Sequence, residues 1–161
     1  MPILRKLREF LDQEKISYEV YNHPQKFTAQ EIAATQHISG KEMAKVVILK
    51  VNGSLLMAVL PACRLVNFEK IKAGLRAGEV SLATEDEFSS VFPECDIGAM
   101  PPFGNLFGLS VVVDPALEKH ENIFFNAGTH LQTVRLRYQD FKKLVQPQVV
   151  TVTDNGKKDA A

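Results

Sequence analysis

The chain has 161 residues, of which 45% are hydrophobic, and this is enough for one domain with its own core. Its 19 basic and 19 acidic side chains cancel, so no overall field attracts a polyanion such as DNA, and any nucleic-acid contact must be local. The N-terminus lacks an apolar signal core, and nowhere do about 18 apolar residues run together. We therefore expect a cytoplasmic protein that does not enter a membrane.

The first half of the chain predicts a helix, a strand and a second helix. Apolar residues recur at helical spacing near the N-terminus, at Ile3, Leu4, Leu7, Phe10 and Leu11. Residues 18–21 alternate as a strand does, and the capping box Thr28-Ala-Gln-Glu31 opens a short helix that runs to Ala34. The helix at the N-terminus should cover a sheet.

The central part of the chain predicts a hairpin and two peripheral helices. Residues 44–51 and 55–60 flank Asn52-Gly53, a pair that tolerates the positive φ of a tight turn. Asn67 can cap a following helix, and Thr84 with Glu87 forms a second capping box.

The last part predicts strands over residues 109–113, 122–126 and 131–136, then a helix over residues 138–145. Hairpins with separated helices favour a single α+β domain over residues 1–147, with a curled, mixed and mostly antiparallel sheet that resembles a barrel. We expect residues 148–161 to form a flexible tail, because their end lacks apolar periodicity.

A loop rich in glycine and proline is the first candidate for chemistry. Two glycines and two prolines restrict its backbone while allowing a ligand to approach closely, and the loop comprises Gly98, Ala99, Met100, Pro101, Pro102, Phe103 and Gly104. Backbone amides held in place can stabilise the negative charge that develops on a carbonyl oxygen during acyl transfer. The alternative interpretation is a rigid turn between strands.

Two further features carry polar groups next to apolar strands. Lys45 begins the run 45–49, where its ammonium would lie at the mouth of a buried strand, although a solvated strand end fits equally. Gly128-Thr129-His130 separates two strands, so His130 could bind a ligand or orient water, or else make a purely local hydrogen bond.

The sequence offers no local support for a protein nucleophile or a metal. There is no Gly-x-Ser-x-Gly motif, and neither Cys63 nor Cys95 lies beside a histidine or has metal-ligand spacing. We interpret both cysteines as reduced thiols and predict neither a metal nor a cofactor.

Taken in order, Ala44-Lys45 at the start of an apolar strand, Gly98-x-x-x-Pro102 and Asn126-Ala-Gly-Thr-His130 resemble the YbaK/prolyl-tRNA synthetase editing-domain family. The similarity runs from about residue 18 to residue 147. It implies a compact α+β domain that hydrolyses the ester bond of mischarged tRNA. Because the chain has no room for synthetase domains, it implies a free-standing aminoacyl-tRNA deacylase that acts in trans.

The resemblance also implies roles for individual residues. Lys45 would anchor the terminal adenosine or its phosphate at the acceptor end, and Gly98 would position the ester carbonyl and water, with His130 as a third catalytic member. The vicinal ribose hydroxyl of the substrate would assist. Substrate-binding positions would be Val46, Met57, Ala99, Met100, Pro101, Pro102, Phe103, Gly104, Gly128 and Thr129.

The amino acid is not fixed by the resemblance. The residue after the family lysine is often polar in relatives, whereas here it is Val46, which with Met57 and Met100 could form a small apolar wall. The implied partners are mischarged tRNA and, for recruitment, an aminoacyl-tRNA synthetase. A module that binds an aminoacyl group, a nucleotide or a partner without turnover is the alternative function, and an ordinary esterase is disfavoured by the missing triad.

Overall fold

A computed structural model of the chain describes residues 4–22 and 41–154. The described helices are α1 (Arg5–Gln13), α2 (Phe68–Leu75), α3 (Glu85–Phe88) and α4 (Tyr138–Val145), with 3-10 helices at Ser89–Val91, Gly104–Leu106 and Pro115–Lys119. The described strands are β1 (Tyr18–Asn22), β2 (Ala44–Val51), β3 (Ser54–Pro61), β4 (Val80–Leu82), β5 (Val111–Val113), β6 (Asn122–Asn126), β7 (Gln132–Arg137) and β8 (Gln148–Val149). The helix predicted from Thr28 to Ala34 lies outside the described residues.

The larger sheet is built around the predicted hairpin. Its strand order is β4-β2-β3-β5-β8. Strand β2 pairs antiparallel with both β4 and β3, and β5 pairs parallel with both β3 and β8. Asn52 and Gly53 form the hairpin turn with φ values of 49° and 87°, the left-handed region that their residue types tolerate best. The side chain of Asn52 also accepts hydrogen bonds from the amides of Gly78 and Glu79, both at 3.0 Å.

A smaller antiparallel sheet with the order β1-β7-β6 forms the other side of the domain. The α+β class and the mixed pairing are thus confirmed, but the expected barrel-like sheet is wrong because the sheet does not close. Within the described ranges, an isolated bridge between Met43 and Phe124 links the two sheets, and the Phe124 amide donates to the carbonyl of Glu42 at 3.1 Å. Closure would need a continuous hydrogen-bonded ladder at this point.

The main core combines apolar side chains from both sheets with those of α1 and α4. Phe103 is fully buried at its centre, and its ring centroid lies 6.2 Å from that of Phe10, 5.6 Å from Phe125 and 5.8 Å from Phe141. A second core lies on the other face of the larger sheet, where Ile71 of α2 packs with Leu49 and Leu60. The larger sheet is therefore apolar on both faces.

The helices begin where the capping residues predict. Asn67 accepts a hydrogen bond from the amide of Lys70 at 3.0 Å, and Thr84 and Glu87 form both hydrogen bonds of a capping box. In the part of the chain that the structure describes, none of the helices has the length and apolar character needed to cross a bilayer.

Residues 148–154 differ from the expected flexible tail. Strand β8 pairs with β5, and Val150 and Val152 are buried in the second core. The buried carboxylate of Asp114 accepts hydrogen bonds from the amides of Val152 and Thr153, at 2.9 and 3.2 Å. The cause is the alternation of apolar residues at 150 and 152, which places both side chains on one face of an extended segment.

Candidate functional site

Four hydrogen bonds bring two of the predicted features together. These features are the start of the 98–104 loop, with the two residues before it, and the 128–130 turn. Two backbone bonds connect them, from the Asp96 amide to the Gly128 carbonyl and from the Gly128 amide to the Ala99 carbonyl, both at 2.8 Å. His130 adds two more bonds, because its amide donates to Asp96 Oδ2 at 3.2 Å and its Nε2 lies 2.8 Å from the Ile97 carbonyl oxygen. The backbone around Gly98 is therefore held from several directions.

The contact with Ile97 fixes the tautomer and the orientation of His130. A carbonyl oxygen can only accept, so Nε2 carries the proton in the neutral ring and Nδ1 is left as an acceptor. Nδ1 is buried, and within the described residues it has no hydrogen-bond partner. His130 is consequently arranged to hold the Ile97 carbonyl.

The same contact determines where the Gly98 amide points. The carbonyl and N–H of a trans peptide point in opposite directions, so fixing the Ile97 carbonyl toward His130 directs the Gly98 N–H away from it. Gly98 itself is exposed. Among the residues described, no acceptor is hydrogen-bonded to this N–H. It is therefore an oriented donor that a ligand can use.

Both glycines at this junction have backbone conformations that suit glycine. Gly98 has φ +86°, and an added Cβ would lie 3.5 Å from the His130 ring. Gly128 has φ +102°, and its Cβ would lie 2.9 Å from Leu4 Cβ, which is too close. The Leu4 amide donates to the Ala127 carbonyl at 2.9 Å, so the start of α1 packs directly against the 128–130 turn.

Gly98 also lines a cleft of about 270 Å³ beside β2. Its lining is almost entirely apolar, and it is formed by Val46, Val47, Ile48, Leu82, Ala83, Glu85, Phe88, Ile97, Gly98 and Met100. The cleft includes Val46 and Met100, which were predicted to bind substrate. Its volume is near the lower limit for small-molecule sites, about 300 Å³, and therefore suits a small group such as an aminoacyl ester.

The remaining predicted binding residues do not line this cleft. Most of them are buried and support the loop from within, namely Met57, Ala99, Pro101, Pro102, Phe103, Gly104 and Gly128. The Thr129 hydroxyl accepts a hydrogen bond from the Leu131 amide at 3.1 Å, which is a local turn contact. The second half of the 98–104 loop thus anchors the first half to the core.

Lys45 lies next to Val46 on β2 but is not among the residues that line the cleft. In the β2–β3 register, Lys45 lies opposite Leu60, which belongs to the second core. Val46 lies opposite Val59, which belongs to the main core. The two side chains therefore start from opposite faces of the strand. Lys45 is half-buried, and this burial lowers the pKa of its ammonium group, while Cys63 opposes that effect. The structure therefore brings Gly98 and His130 together and leaves Lys45 at the adjoining strand.

Three residues of the site were not identified from the sequence. Asp96 and Ile97 hold His130, and Glu85 is the charged residue among those that line the cleft. The two His130 bonds span 34 and 33 positions, so no local spacing could reveal them. From the sequence, Glu85 stands only in the first turn of the helix that Thr84 caps, where a carboxylate suits the positive end of the helix dipole, and this helix forms as α3.

Comparisons with known proteins identify the family to which the sequence is similar. The model of the family described as aminoacyl-tRNA editing domain matches residues 23–144. The multifunctional Ser/Thr-tRNA deacylase ProXp-y of Escherichia coli (strain K12) is 29% identical over 154 residues, covering 91% of this chain and 90% of that protein.

Two solved structures share the fold. Hypothetical protein APE2540 superposes with a TM-score of 0.84 at 20% identity, covering 93% of this chain and all of the other (100%). A candidate trans-editing enzyme for prolyl tRNA synthetase superposes with a TM-score of 0.82 at 18% identity, covering 94% of this chain and 96% of the other.

Proposed function

Because the chain belongs to the aminoacyl-tRNA editing domain family, as its motifs predicted, we propose that it is a free-standing deacylase that hydrolyses the ester bond of mischarged tRNA in trans. The observation that carries the proposal is the oriented Gly98 amide beside a small apolar cleft. The named activity of the Escherichia coli relative, which this chain covers over 90% of its length, supports the deacylase activity.

The Gly98 N–H supplies the central chemical contribution. When water attacks the ester carbonyl, negative charge develops on the carbonyl oxygen, and a donor that is already oriented stabilises it without reorganisation. One such donor contributes about 10²–10³ in kcat. The ribose oxygen of the terminal adenosine then leaves with a proton, and the products are the free amino acid and the uncharged tRNA.

His130 acts as a positioning residue in this mechanism. Its Nε2 holds the Ile97 carbonyl and thereby the orientation of the next amide, which belongs to Gly98. The vicinal ribose hydroxyl of the substrate assists the attacking water. The protein then has mainly to position and polarise the ester, which agrees with the lack of a nucleophile motif in the sequence.

Lys45 is proposed to anchor a phosphate or the adenosine at the acceptor end. Burial disfavours its ammonium group and lowers its pKa, so an anionic partner at this position would be favourable. Since net charge over the whole chain is zero, such local contacts must supply the attraction for tRNA. A synthetase that delivers the tRNA is the second proposed partner, and the cytoplasm is the proposed location.

The test is a panel of mischarged tRNAs incubated with the purified protein, with a known editing enzyme alongside. We expect release of the amino acid from at least one member faster than spontaneous hydrolysis. Binding of a charged tRNA without release from any member would instead establish the alternative function, a module that binds without turnover. Simple amino-acid esters serve as a control for general esterase activity.

A further inference from the structure

We propose that Glu85 recognises the free α-ammonium group of the aminoacyl substrate, an inference that rests on the proposed deacylase function. Among the ten residues that line the cleft, Glu85 alone has a charged or polar side chain. Gly98, the donor assigned to the ester carbonyl, lines the same cleft. Glu85 and Gly98 therefore border the same small volume.

The chemistry of an aminoacyl ester matches this arrangement. Its α-ammonium is separated from the scissile carbonyl carbon by one carbon atom, so a carbonyl bound at Gly98 places the ammonium inside or at the rim of the cleft. The side chains of the remaining walls, such as Val46, Ile48 and Met100, are apolar. A charge without a partner would be costly beside them.

Glu85 is available for this role. It is exposed, and the described residues provide no ion pair or hydrogen bond to its carboxylate, in contrast to Glu87, which pairs with Lys50 at 2.6 Å and completes the capping box. Its position in the first turn of α3 fixes its backbone, because Thr84 caps that turn. The carboxylate can therefore bind a substrate cation without losing a contact within the protein.

Glu85 recognises the amino group of the substrate and not its side chain. Every aminoacyl-tRNA carries this ammonium, so Glu85 would separate aminoacyl esters from N-blocked esters without distinguishing the amino acids. Discrimination among amino acids would remain with the apolar walls, which distinguish side chains by about 1–3 kcal/mol per methylene.

The test compares a free aminoacyl-tRNA with its N-acetylated form, using a tRNA that the wild-type protein hydrolyses. We expect Glu85→Gln to lower kcat/KM for the free form by about three- to tenfold, mainly through KM, and to leave the N-acetylated form unchanged. Glu85→Lys should lower kcat/KM for the free form further, and for that form alone, because it places a positive charge beside the α-ammonium group. The kcat/KM of each variant is divided by that of the wild type on the same substrate, which removes the difference in intrinsic reactivity between the two esters.

Asp86→Asn is the matched control, since it removes one negative charge from the same exposed turn at a residue that does not line the cleft. The Asp86→Asn variant should keep the wild-type kcat/KM for both substrates. Equal effects of the Glu85 variants on the free and N-acetylated forms would overturn the proposal. An effect of these variants that differs between a tRNA charged with serine and one charged with alanine would overturn it too. A wild-type protein inactive on every tRNA would instead refute the proposed function itself.

Discussion

At the scale of single residues, Lys45 is a charged side chain in a half-buried environment that disfavours its charge. Burial lowers the pKa of its ammonium in the folded state, so between the folded and unfolded pKa values the unfolded chain binds more protons. The charged lysine therefore opposes folding below its unfolded pKa, and wild-type stability should rise as the pH increases through the lowered value. A residue kept at a cost to stability is a good candidate for function.

We predict that Lys45→Met weakens tRNA hydrolysis mainly by raising KM, while thermal unfolding at neutral pH occurs at a temperature no lower than that of wild type. Methionine keeps a similar length and removes the buried charge. The variant should also lose the gain in stability at alkaline pH, which a series of melting curves would measure. A markedly lower melting temperature at neutral pH would show that Lys45 is structural.

His130 is the second residue whose role can be isolated. We predict that His130→Ala lowers kcat by about ten- to hundredfold with little change in KM, because the Ile97 carbonyl loses its donor and the Gly98 amide loses its orientation. His130→Gln, which retains an N–H donor, should restore part of the rate. His120→Ala is the control, at a histidine that ends the Pro115–Lys119 3-10 helix and whose amide donates to the Leu117 carbonyl. Wild-type kcat in His130→Ala would contradict the positioning role.

At the scale of elements, the C-terminal segment depends on a single buried carboxylate. Asp114 is 2% exposed, and it accepts from Ala116, Val152 and Thr153. We predict that Asp114→Asn lowers the free energy of unfolding by about 2–4 kcal/mol, because one acceptor and the charge are lost in a buried site. Urea denaturation measures the change.

The control for this prediction is Glu118→Gln, which removes a partly exposed pair with Lys142. It should change stability by about 0–1 kcal/mol. Equal stability of Asp114→Asn and wild type would mean that residues 150–153 contribute little to the fold.

Element formation was predictable wherever the signal is local. The Asn52-Gly53 turn and the Thr84 capping box act over a few residues, and both form as expected. Segments 148–154 and the Met43–Phe124 bridge depend instead on partners far along the chain. Choice of partner strand is a tertiary property, which explains why a packed segment was interpreted as a tail and two sheets as one barrel-like sheet.

The candidate site divides in the same way. Gly98 and His130 were selected because the order of motifs resembles a known family, and the structure places them in contact. Met57 was selected for its chemistry, yet it is fully buried, since the depth of a residue below a cleft cannot be seen in a strand pattern. Glu85 was missed because its place in the first turn of the helix that Thr84 caps already accounted for a carboxylate there.

At the scale of the whole molecule, the family and the enzyme class, an aminoacyl-tRNA deacylase, agree with the prediction from the motifs. The two sheets and α1 enclose a common core, and Phe103 connects that core to the 98–104 loop. The fold therefore supports the loop from below and leaves Gly98 exposed above it. A loss of activity must be separated from a loss of this support.

A pair of glycines allows that separation. Gly98 and Gly53 have nearly equal φ values, +86° and +87°, and an added Cβ has no contact closer than 3.5 Å at Gly98 and none within 4 Å at Gly53. Alanine should therefore cost about 1–2 kcal/mol of stability at either position. Gly53 lies in the hairpin turn and does not line the cleft.

The most direct test of the account is the rate of single-turnover deacylation of a mischarged tRNA by Gly98→Ala and Gly53→Ala under conditions where both variants are folded. We predict that Gly98→Ala is slower than wild type by about ten- to hundredfold, because the oriented amide is displaced, while Gly53→Ala keeps the wild-type rate. Equal rates for the two variants would contradict the assignment of the chemistry to the Gly98 amide.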